Sequence, residues 1–221
     1  MKRAGICSWV VLPAVLASAA FAGDWPQFRG PSASGIGDGA KPPVKWDATK
    51  GTNIVWSVEI PGLADSSPIV WGDRIFVTTA VSSDPKQIFR TGLYGDTDSV
   101  NDSSPHQWKV LAIDKKTGKI LWQQIAHEGV PKTKRHPKSS QASPSPATNG
   151  KVVVAYFGSE GLYAYSTAGE LLWKKDLGLQ NAGCSSIRIR SGEPVVRRSS
   201  IRTWRSYNAT GKRTPSSPRS I

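Results

Sequence analysis

Between Gly150 and Gly178 the apolar positions fall into three short runs separated by glycine-bearing turns. Lys151–Phe157 is a continuous β-branched and aromatic run. Leu162–Ser166 is a second, entered by the turn Gly158-Ser159-Glu160-Gly161. Glu170–Lys174 is a third, entered at Ala168-Gly169 and carrying Trp173. Short strands joined in this way predict an antiparallel meander. Three strands bury too little apolar surface to stand alone, so the pattern predicts that the unit recurs.

Lys109–Gln123 (KVLAIDKKTGKILWQ) repeats the strand, the turn and the Trp of Leu162–Lys174. Gly118 precedes Trp122 as Gly169 precedes Trp173, and Ala112 and Ala164 hold matching places. A third copy is partial: Asn53–Glu59 supplies a Trp-bearing strand, and Ser66–Thr79 (SSPIVWGDRIFVTT) resembles Ser143–Phe157 (SPSPATNGKVVVAYF). The Trp marks fall at 56, 122 and 173, with insertions after Thr79 and Ile125 stretching the spacing. Repeats of roughly 40–50 residues, each of about four strands, predict an all-β fold built as propeller blades. Three strand-rich units are expected: one around Asn53–Thr79, one ending in Lys109–Trp122, and Gly150–Gly178.

The pattern A-x-D-x-x-T-G-x-x-x-W, present as Ala112, Asp114, Thr117, Gly118 and Trp122, resembles the repeat of the PQQ-binding-like (quinoprotein) β-propellers. The opening Asp24-Trp25-Pro26-Gln27-Phe28-Arg29-Gly30-Pro31 is similar to the start of secreted bacterial members. The resemblance covers about Asp24–Gly178. It implies that the Trp packs between neighbouring blades and that the T-G turn caps the sheet. Ala112, Asp114, Thr117, Gly118, Trp122, Ala164, Gly169 and Trp173 are therefore expected to be structural repeat residues, and no catalytic residue is carried over.

Residues 1–22 have the layout of a secretory signal: basic Lys2 and Arg3, an apolar stretch Ile6–Ala19, and Ala20-Phe21-Ala22 before Gly23. The apolar stretch is too short for a membrane span, so a periplasmic or secreted protein is expected, with no transmembrane segment after cleavage. Cys7 would leave with the signal; Cys184 alone would remain, and no internal disulfide could form. Residues 23–52 are a Pro/Gly-rich lead-in, read either as a segment packed on the propeller or as a flexible extension. Residues 53–183 hold the partial propeller of about two to three blades.

Within the insertion Ala80–Pro105, Asp96, Asp98 and Asp102 bring carboxylates close enough to suggest Ca²⁺. They lack the Gly and terminal Glu of an EF-hand loop, and a solvated loop is the favoured reading. The basic run Pro131–Lys138 (PKTKRHPK) contains no aromatic for base stacking; it reads as a solvated surface loop, and nucleic acid is not an expected partner. His106, His127 and His136 lack metal-ligand spacing and read as surface or turn residues.

The tail 184–221 is out of character. It carries nine Lys/Arg against the single acid Glu193, a net of +8, so most of the formal +13 lies there. Its Ser/Arg richness predicts disorder. A frameshift at position 184 is the preferred explanation over a basic nucleic-acid arm. One permitted reading of the other frame restores a run, SSPIIYKDLAVLQ, like that at Ser66–Thr79. The chain is accordingly expected to be truncated.

Two functions follow. The first is a non-catalytic binding or scaffold module, whose unknown protein or small-molecule ligand would be held by loops rather than by the fold. The second is a fragment of a PQQ-dependent dehydrogenase. The resemblance implies PQQ with Ca²⁺ in the channel of such enzymes, an Asp base and, in alcohol-oxidising members, a vicinal Cys pair. The sequence has no Cys-Cys and no Asp that matches the base. No cofactor is supported by this chain's own residues.

Overall fold

The computed structural model describes residues 23–87 and 99–180. The signal reading, Cys184, Asp96, Asp98 and the tail lie outside the described residues. Among the described residues eight strands follow one another: β1 (Ile69–Trp71), β2 (Arg74–Ser82), β3 (His106–Asp114), β4 (Ile120–Gly129), β5 (Ala147–Thr148), β6 (Val152–Tyr156), β7 (Leu162–Ser166) and β8 (Leu171–Lys175). They form two four-stranded sheets, ordered β1-β2-β3-β4 and β5-β6-β7-β8, in which every neighbouring pair is antiparallel. The architecture is all-β, that of an incomplete propeller, with the short edge strands β1 and β5 side by side.

The turns explain the boundaries. Asn149 Oδ1 accepts the amides of Lys151 and Val152, closing the β5–β6 hairpin. Between β3 and β4, Asp114 Oδ1 accepts the amides of Lys116 and Thr117 and the Thr117 hydroxyl. This is an Asx turn, in which a short acidic side chain replaces a backbone acceptor. These bonds, the Thr117 hydroxyl foremost, hold the Asp114 carboxyl below its ordinary value. The repeats agree in register as well: Ala112 faces Trp122 across β3–β4, and Ala164 faces Trp173 across β7–β8. A register shift follows the Ala in both sheets.

The core lies between the sheets. Ala80, Trp108 and Val110 of the first blade cluster with Ala155, Phe157, Tyr163 and Tyr165 of the second, and Ile69, Phe76 and Ala112 cluster with Val153. Trp108 is fully buried, and its indole N–H is satisfied by the Gln141 carbonyl at 3.0 Å. Fully burying a large apolar side chain contributes about 1.5–3 kcal/mol, so this interface is the main source of cohesion between blades. Burial pushes the Tyr165 hydroxyl up to about 12, reinforced by Tyr163.

Several expectations change. The units expected at Asn53–Thr79 and Lys109–Trp122 are one blade, because β2 pairs with β3 along its whole length and the Ala80–Pro105 insertion contains the link between them. Asn53–Glu59 is not a strand: no described residue provides it a continuous pairing partner. The stretch that follows instead runs along the first blade, where Leu63 bridges Ala80 and Thr79 Oγ1 donates to the Pro61 carbonyl at 2.7 Å. The lead-in is packed at its start, not loose: Trp25 bridges Val70 at the edge of β1.

Candidate functional site: the joint between the blades

Two of the repeat residues, Trp122 and Gly169, meet at the joint. Trp122 lies on β4 of the first blade. Its indole N–H donates to the Thr167 carbonyl of the second blade at 3.0 Å. Its ring covers Gly169, where φ is +98° and a Cβ would stand 2.9 Å from the indole. Only glycine meets both conditions without displacing the ring. Arg74, at the start of β2, also donates to the Thr167 carbonyl.

The same contact occurs one step earlier. Trp56 donates its indole N–H to the Lys115 carbonyl at 3.0 Å and covers Gly118, where φ is +73° and a Cβ would lie 2.6 Å from the ring. A Trp thus rests on a downstream Gly turn twice in succession. Trp122 and Trp173 are half-buried rather than fully buried, each on the outermost strand of its sheet. Thr117 and Asp114 shape the turn that Trp56 covers; Ala112 and Ala164, each directly across from a Trp, are fully buried.

Polar groups line the same joint at a different level. Glu160 precedes β7 with its side chain almost wholly enclosed. Its Oε1 accepts the Lys132 amide at 2.9 Å, while Oε2 has no hydrogen bond and lies 3.5 Å from His127 Nε2 and 3.7 Å from Lys132 Nζ. Asp176 is held below its ordinary value by the Gly178 amide, then by Lys132 and His127.

A second cluster anchors the inserted loops. Arg135 Nε donates to Asp102 at 2.8 Å, and both side chains are buried. Gln141 and Gln87 donate to the same carboxylate. Burial raises the Asp102 carboxyl, but hydrogen bonds from Gln141, Gln87 and Arg135, with the Arg135 charge, outweigh it and hold the group below its ordinary value. A cavity of about 220 Å³ opens beside this pair, lined by Ser82, Asp84 and Ser104 among others.

Three expectations are corrected here. Asp102 is not a solvated loop acid but half of a buried ion pair. Arg135 is buried within the basic run expected to be solvated, because it neutralises Asp102; Pro137 is buried beside it. His106 is 1% exposed, not a surface histidine: its ring lies between the Ser104 carbonyl, Gln87 and Trp108. Sequence reasoning missed Trp108 and Arg135, for which spacing offers no signal.

Residues 36–216 match the family model described as outer membrane protein assembly factor BamB, a PQQ-repeat model. The chain belongs to the PQQ-like repeat family. The match spans both blades and continues past Gly178, where the resemblance read from the sequence ends, across Cys184 to residue 216. No curated protein matches the chain.

The edge strands Ile69–Trp71 and Ala147–Thr148 contain no carboxylate that could hold Ca²⁺. The nearby acid Asp24 has Oδ1 committed to the Gly72 amide at 2.7 Å. No group of three or more His, Cys, Asp or Glu suited to a metal ion occurs among the described residues. These two edges thus supply no set of carboxylates for Ca²⁺ among the described residues. No helix among the described residues is long and apolar enough to cross a membrane.

Proposed function

We propose that this PQQ-like repeat protein is a non-catalytic binding or scaffold module of the periplasm or cell exterior. One observation carries the reading. The residues that define the repeat are spent on packing: Trp122 seats on Gly169 across the joint between the blades, and Trp56 seats on Gly118 at a turn of the first blade. They stabilise a rigid body, and recognition then belongs to the loops it displays. The basic run favours no nucleic acid, since Arg135 serves Asp102 and Lys132 serves Glu160. The partner is a protein or a small molecule.

The test is direct. Purified protein is supplied with PQQ, Ca²⁺ and a panel of alcohols and sugars, and dye reduction is followed. The module reading predicts none. Turnover above a protein-free control overturns it in favour of a dehydrogenase.

A further inference from the structure

We propose that Asp24–Gly30 is a clasp that ties the two blades together at their adjoining edges and closes those edges to any other extended chain. Exposed strand edges offer unpaired backbone groups to whatever strand arrives. Here the chain fills them itself. Trp25 exchanges two backbone bonds with Val70 of β1, at 2.8 and 2.9 Å. Asp24 Oδ1 accepts the Gly72 amide at 2.7 Å. One residue further on, the Pro26 carbonyl accepts the Thr148 amide of β5 at 2.8 Å. Three consecutive residues therefore engage both sheets, and Pro26, which has no N–H of its own, is used only as an acceptor.

The rest of the motif folds back to hold this arrangement. Gly30 is buried with φ +69°, and a Cβ there would lie 2.5 Å from the Trp25 ring. Its amide donates to the Gln27 carbonyl at 2.9 Å, and Gln27 Nε2 donates back to the Gly30 carbonyl at 3.2 Å. Arg29 has φ +62°, a conformation that costs a non-glycine residue of order 1–3 kcal/mol and persists only where its surroundings enforce it. The clasp lies upstream of the family match, which begins at residue 36. With those edges taken, a partner must dock elsewhere than on β1 and β5.

Residue-resolved hydrogen exchange on the whole secreted chain tests this. Asp24→Ala is expected to speed exchange at the Gly72 amide at least tenfold and to leave Thr148 protected. Trp25→Ala is expected to speed Val70, Gly72 and Thr148 together, with Val110 and Leu111 of β3 unchanged. Gly30→Ala gives the same read-out, with the same expected pattern, should Trp25→Ala fail to fold. Unchanged protection at Thr148 in both of these variants overturns the clasp. A uniform rise that includes β3 also overturns it, because the segment would then be an ordinary part of the core.

Discussion

Trp122 rests its indole on Gly169 of the neighbouring blade and binds the carbonyl two residues earlier, at Thr167. Position 169 therefore answers to two demands at once, a left-handed backbone and a ring overhead. Gly158 has only the first: its φ is +62° and nothing lies within 4 Å of where a Cβ would be. Gly158→Ala is expected to cost only the backbone term, about 1–2 kcal/mol. Gly169→Ala should cost clearly more. Denaturant midpoints of the two variants check the order.

The indole N–H has its own contribution. Trp122→Phe keeps an aromatic ring but removes one of two donors to the Thr167 carbonyl, leaving Arg74. A loss of about 0.5–1.5 kcal/mol is expected, the usual net worth of one hydrogen bond. Trp122→Ala should approach the ~3–5 kcal/mol typical of a large aromatic cut from a core, reduced because one edge of the ring is wet. Urea unfolding followed by circular dichroism gives both values.

The Asp102–Arg135 pair sets an acid limit. The folded-state carboxyl titrates below its ordinary value of 3.8. Its contribution is fully present well above that value and is lost as pH falls through the lower, folded value. Asp102→Asn should therefore flatten the acid limb of a stability-versus-pH curve below about pH 4 while changing little of its shape near neutrality. Arg135→Met leaves a buried carboxylate uncompensated and should cost about 3–5 kcal/mol at neutral pH.

The signal reading is tested at the protein's N-terminus. The n-h-c layout of Lys2–Ala22 predicts cleavage after Ala22, so Edman sequencing of exported protein should begin at Gly23 with GDWPQF. A start at Met1 rejects it.

The periodic part of the fold was legible because a repeat writes the same demand twice. β6, β7 and β8 fall on the apolar runs, and Gly118–Trp122 and Gly169–Trp173 mark equivalent turns. β5 was not legible, since two residues, Ala147 and Thr148, carry no period. Asn53–Glu59 has strand composition but lacks a continuous pairing partner among the described residues, which is what a strand requires. The Asp102–Arg135 pair joins residues 33 apart across two loops, and the identity of such a partner is decided by tertiary packing. Trp122 was legible as a blade-packing residue only through the family resemblance; that it covers Gly169 specifically is set by how the two sheets pack.

Trp122 on the Gly169 turn is the joint between the blades. A double-mutant cycle on Trp122→Phe and Gly169→Ala measures it most directly. A smaller ring relieves the clash that the new methyl creates. The double variant is therefore expected to be more stable than the sum of the single losses by about 1 kcal/mol, within the range seen for residues in contact. The parallel cycle of Trp122→Phe with Gly158→Ala should be additive. Additivity in the first cycle to within ~0.3 kcal/mol would contradict the account.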